Sequence, residues 1–117
     1  MASVACGRPT DARRAASTPP VRVEVRLREW AIDLPDTVPA GTVTFAVRDV
    51  GHDDHAFRIH GHGIDAATRV LEPDLAATLT VTLAPGRYGV ECPVKEPEER
   101  EDHARLGMRR TLVVVRR

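Results

Sequence analysis

An all-β domain, a Greek-key sandwich or barrel behind a disordered N-terminal tail, is the fold class this sequence predicts. Three observations carry the prediction. Apolar residues recur with a period of two, Pro/Gly turns separate the runs, and no stretch keeps a sustained helical period. At 117 residues the chain is one domain long, with no internal repeat and no sign of a second domain. Aromatics make up only 3%, so the core must come mainly from valine, leucine, isoleucine and alanine.

Residues 1–20 read as the tail, and 21–117 as the domain. Arg8, Pro9, Arg13, Arg14, Ser17 and Thr18 keep no apolar period, and Pro19-Pro20 ends the segment. Val21, Val23, Val25 and Leu27 then alternate with Arg22, Glu24, Arg26 and Arg28, as a half-buried strand does. Trp30, Ile32 and Leu34 continue the alternation irregularly, and Pro35 to Gly41 is turn-rich. Val43, Phe45 and Val47 mark the second strand, and Phe57 and Ile59 the third. Leu79, Val81 and Leu83, set among threonines, mark the fourth. After the Pro85-Gly86 turn, Tyr88, Val90 and Cys92 share one face of the next strand, and Leu112 to Val115 closes the sheet. Residues 63–77 and 95–106 are expected to hold a short helix or a structured loop.

Composition removes several function classes. With 17 basic and 17 acidic residues the net charge is zero, against the basic excess of a general nucleic-acid binder. No apolar run approaches the ~20 residues of a membrane helix, so no span is expected. Two cysteines cannot build a disulfide framework. Neutrality is nonetheless a cancellation of patches. Residues 1–28 carry six basic and two acidic groups, residues 91–102 six acidic and two basic, and residues 103–117 five arginines and no acid.

Three places hold metal-capable side chains: His52, His55, His60 and His62; Cys92; and His103 with Met108. Strand parity sets His55 with Phe57 and Ile59, and Cys92 with Tyr88 and Val90, so both point inward. One thiolate, two imidazoles and a weak thioether form the ligand set of a mononuclear blue-copper site.

At these residues the chain resembles the cupredoxins, the plastocyanin/azurin family of blue copper proteins. The resemblance runs from about Val21 to Val115. It rests on Gly41-Thr42-Val43-Thr44-Phe45, on His55-Ala56-Phe57, and on Leu83-Ala84-Pro85-Gly86-Arg87-Tyr88 leading to Cys92-Pro93. His103, four residues, Met108 and then Thr111-Leu112-Val113-Val114 complete it. The resemblance implies a cupredoxin-like fold and a single copper ion cycling between Cu(I) and Cu(II). Its ligands would be His55, Cys92, His103 and Met108, reached by electrons through an exposed edge of His103. Two departures stand out. Ten residues separate Cys92 from His103, where better-known members keep a very short loop, and Asp49 stands where the family usually has an asparagine.

The function this implies is one-electron transfer between redox partner proteins, without catalysis, in a chain expected to be monomeric. A copper carrier or sensor with the same ligands, and a copper-free cupredoxin-like interaction domain, are the alternatives. A superoxide dismutase would need more histidines, a bridging aspartate and a disulfide; a binuclear copper centre would need a second cysteine between Cys92 and His103. His60 and His62 read either as an exposed metal chelate or as solvated loop histidines, and the acidic stretch Glu96 to Asp102 as a docking patch or a solvated loop. Copper–thiolate chemistry fits an extracytoplasmic setting, periplasm or cell surface. Ser3-Val4-Ala5-Cys6-Gly7 looks like a bacterial lipoprotein box, which would make Cys6 a lipid anchor and residues 7–20 a tether. The other reading of Cys6 is a chance cysteine in a disordered tail.

Overall fold

The computed structural model describes residues 19–96 and 101–117; the tail before Pro19, with the lipoprotein-like box at Cys6, lies outside the described residues. Eleven strands follow in chain order, and no α-helix occurs among the described residues. They are β1 (Val21–Arg28), β2 (Ala31–Asp33), β3 (Thr37–Pro39), β4 (Gly41–Asp49), β5 (Arg58–Gly61) and β6 (Ile64–Ala67). Then come β7 (Ala76–Leu83), β8 (Gly86–Glu91), β9 (Lys95–Glu96), β10 (Glu101–Asp102) and β11 (Arg109–Val115). One sheet runs β2-β1-β4-β7 and the other β3-β11-β8-β5-β6, with β9 and β10 forming a separate hairpin.

The two sheets form a sandwich because period-two patterning gives each an apolar face that must leave water. Val23, Val25 and Leu27 of β1 are buried while Arg22, Glu24 and Arg26 are exposed. Val43, Phe45 and Val47 of β4 join them, facing Ile59, Tyr88, Val90, Leu112 and Val114 of the other sheet. Phe45 and Phe57 meet across the core with ring centroids 5.1 Å apart. The Tyr88 hydroxyl donates to the Ala84 carbonyl at 2.8 Å and so closes the Pro85-Gly86 turn. Pairing is mixed: β1 lies parallel to β4, and β3 parallel to β11.

Neither of the regions expected to offer a helix or a structured loop holds a helix; each combines short strands with loop or turn. Residues 63–77 supply β6 and the start of β7. Half-buried Ile64 and Ala66 alternate with exposed Asp65 and Ala67, and the hairpin with β5 satisfies the backbone groups a helix would have paired internally. Residues 95–106 carry the β9–β10 pairing and a turn. The turn-rich 35–41 segment also holds β3, where Val38 is buried and Pro39 sits on an edge strand that needs no amide there. No helix among the described residues is long and apolar enough to cross a membrane.

Candidate metal centre

The site lies at the end of the sandwich where Leu27 pairs with Asp49 and Glu91 with Arg109. His55 is fixed by a two-way backbone bridge to Leu71, at 3.0 and 2.7 Å. Cys92 follows β8 directly, and its N–H donates to the Met108 carbonyl at 2.9 Å. The Met108 N–H donates to the His103 carbonyl at 3.0 Å, and the His103 N–H to the Val94 carbonyl at 3.0 Å. Asp102 Oδ1 accepts from the Ala104 N–H at 3.1 Å, closing the first step of the turn. A chain of backbone bonds therefore carries His103 and Met108 back to Cys92 despite the long loop. Gly107 permits the tight return: its φ is +127°, and a Cβ there would stand 2.8 Å from the Trp30 carbonyl oxygen.

His55, Cys92, His103 and Met108 are each fully buried. Cys92 Sγ lies 3.9 Å from His55 Nδ1 and 3.7 Å from His103 Nδ1. These three ligand atoms fall within 4.8 Å of one another, and no other cluster of three or more such groups occurs among the described residues. Two metal–ligand bonds of about 2.0–2.3 Å meeting at an open angle span just under 4 Å, so the spacing accommodates one small ion. Both imidazoles turn Nδ1 toward the sulfur. The Ala56 N–H donates to Sγ at 3.4 Å. Met108 is brought beside this set by its backbone bonds to Cys92 and His103.

Behind His55 stands a residue the motif reading missed. Glu29 Oε2 accepts from His55 Nε2–H at 2.5 Å. Burial pushes the Glu29 carboxyl up, but the N–H groups of His52 and Asp53 and the His55 ring bring it down to about 2. Burial likewise works against charge on His55, yet Cys92 and Glu29 outweigh it and raise the imidazole to about 9. The sequence did hold a signal: Glu29 continues the inward parity of Val23, Val25 and Leu27. Asp49 is fully buried, its Oδ1 accepting from the Gly51 N–H at 2.9 Å and its Oδ2 without a hydrogen bond among the described residues. Burial pushes its carboxyl up. Its side chain braces its own loop in the place the resemblance reserves for an asparagine.

The expected open edge of His103 is not found. Trp30 packs against that ring, tilted by 60° with centroids 4.8 Å apart, and meets His55 edge-on at 6.1 Å; His103 is fully buried. Trp30 itself is half-buried. The other histidines stay apart from the cluster. The rings of His60 and His62 lie over Gly89 and Gly86 respectively, and His62 packs on Tyr88 at 4.9 Å. Of the acidic stretch, Asp102 faces Lys95 at 3.9 Å, while residues 97–100 lie outside the described residues.

No family model matches this chain, and no curated relative matches it in sequence. Solved structures do. Dithionite-reduced auracyanin from Roseiflexus castenholzii superposes with a TM-score of 0.65 at 24% identity, covering 84% of this chain and 99% of that one. Auracyanin A, a blue copper protein from Chloroflexus aurantiacus, gives 0.65 at 22% identity over 83% of this chain and all of that one. Reduced rusticyanin gives 0.60 at 20% identity, covering 85% of this chain and 81% of that one. Two mixed sheets of this order, with a histidine–cysteine–histidine cluster at one end and these structural neighbours, give the chain the cupredoxin fold.

Proposed function

We propose that this chain is a mononuclear type 1 copper protein that transfers single electrons between redox partners. The observation that carries the reading is the buried cluster of Cys92 Sγ with His55 Nδ1 and His103 Nδ1 at 3.9 and 3.7 Å. A soft thiolate with two imidazoles selects copper and tolerates both of its oxidation states, and the thioether of Met108 would serve as a weak further donor. Bound copper would supply the one-electron Cu(I)/Cu(II) couple. The protein's part is to hold the donors still. The Leu71 bridge fixes His55, the 92–108 backbone bonds fix Cys92, His103 and Met108, and Trp30 keeps water off both rings. A site that cannot rearrange on gaining or losing an electron passes it quickly.

The reading extends to an extracytoplasmic location, where cytosolic thiols do not compete for the metal, and to partner proteins that dock near Trp30. A lipid anchor at Cys6 is part of the same proposal. Adding Cu(II) to the purified protein is expected to produce intense visible absorption from thiolate-to-copper charge transfer, absent in Cys92→Ser. A colourless protein whose Cys92→Ser variant binds copper equally well would overturn the reading. Met108→Leu is expected to keep the colour and change the reduction potential, measured by voltammetry. Reversible reduction with the metal retained supports the shuttle, whereas release of the metal on reduction favours a carrier.

A further inference from the structure

Glu29 is an acidic side chain on the inward parity of a strand, with only 21% of its surface exposed. In a chain with 17 cationic side chains, its ion-pair partner among the described residues is a histidine rather than an arginine. A receptor has been built around its carboxylate. Oε1 accepts from the His52 N–H at 2.8 Å; Oε2 accepts from the Asp53 N–H at 3.1 Å and from His55 Nε2–H at 2.5 Å. Position 51 completes the cradle, because a Cβ there would stand 2.3 Å from Oε2 and 2.9 Å from both Cδ and Oε1. Only glycine leaves that space empty. The 51–53 loop therefore binds the carboxylate, and the carboxylate in turn binds the ring of His55.

Resting on the copper reading above, we infer that Glu29 is the positioning residue of the site, locking His55 as the Nε2–H tautomer with Nδ1 presented to the metal and lowering the reduction potential. The geometry gives the tautomer: with the Nε2 proton committed to Glu29, Nδ1 is the nitrogen that faces Cys92 Sγ and the one that gives up its proton when a metal binds. A ring nitrogen bound to metal, whose other nitrogen donates to a carboxylate, becomes a better donor. The added negative charge favours the more positive oxidation state, Cu(II), over Cu(I). Carboxylate partners of metal-bound histidines change metal affinity by about 10–100-fold when removed.

Two variants separate charge from position. Glu29→Gln keeps the shape, removes the charge and replaces one acceptor by a donor. Gly51→Ala keeps the charge and drives the carboxylate out of its cradle. In copper-loaded protein both are expected to raise the reduction potential, Glu29→Gln by a tenfold shift in the Cu(I)/Cu(II) affinity ratio, which is about 59 mV for a one-electron couple. Glu24→Gln, on the exposed face of β1, is expected to leave it unchanged. In Zn(II)-loaded protein, 15N-edited NMR should show a strongly downfield His55 Nε2–H in the wild type, moved upfield in both variants. An unchanged potential and an unchanged His55 resonance in a coloured Glu29→Gln protein would overturn the inference, and lowered thermal stability alone would do the same. Should Glu29→Gln fail to fold, Gly51→Ala decides by the same two readouts. A wild type without thiolate–copper absorption overturns instead the copper reading, and this inference with it.

Discussion

His55 and Glu29 titrate in opposite directions from their free values, and in the metal-free protein this sets a stability window. Glu29 is held at about 2 against an ordinary 4.5, so its contribution is complete above pH 4.5 and lost as pH falls toward 2. His55 is raised from 6.5 to about 9, so its contribution is complete below pH 6.5 and lost as pH rises through 9. Thermal melts followed by circular dichroism should place the highest Tm of the metal-free protein between about pH 4.5 and 6.5, with losses on both sides. Asp49 acts the other way, since its charged form is buried with one oxygen unpaired among the described residues. Asp49→Asn keeps the acceptor for Gly51 and removes that charge; at neutral pH it should raise the unfolding free energy by roughly 1 kcal/mol, read by denaturant titration. That His55, Cys92 and His103 come together was legible because strand parity and spacing are local properties of the chain. Glu29 was not, because its receptor is a loop more than 20 residues away that exists only once β1 and β4 pair.

The strands with long alternation, β1, β4, β7, β8 and β11, could be read from sequence because each carries at least two buried residues at the same parity or a row of half-buried ones. The short strands β3, β6, β9 and β10 could not. Two to four residues hold too little pattern to mark a period, and their partners, not their own propensities, make them strands. The turn from Asp102 to Met108 determines where a loop this long places His103 and Met108. Gly107→Ala forces an L side chain to φ +127° against the Trp30 carbonyl. It is expected to cost about 1–3 kcal/mol and to weaken metal affinity, read by denaturant titration and by competition with a chromophoric chelator. Trp30→Ala would uncover His103, whose ring it packs against at 4.8 Å. The expected outcome is faster reduction of the bound metal by a small hydrophilic reductant in stopped flow.

At the scale of the molecule, the two sheets are held together by a core in which Phe45 and Phe57 are the paired large side chains. Phe45→Ala should lower the unfolding free energy by about 3–5 kcal/mol in urea titration. That a sandwich would form was legible, since apolar faces need covering; that β1 would lie parallel to β4, and β3 to β11, was not. Alternation says which face is buried and is silent about which neighbour is chosen or in which direction it runs. Those parallel pairings also decide the polarity of the whole body. Val21 sits opposite Val43, whereas Leu27, at the other end of the same strand, sits opposite Asp49 beside the site. Six strand steps of about 3.3 Å separate those ends, roughly 20 Å. β11 leaves the site at Arg109 and ends at Val115, whose carbonyl accepts from the Ala40 N–H. The described domain's entry at Val21 and exit at Val115 thus share one pole, and Cys92 with the two imidazoles occupies the other. Attachment at the Val21 or Val115 end of the described domain, to an electrode, a bead or a fused enzyme, leaves the candidate metal centre turned outward and free to be met.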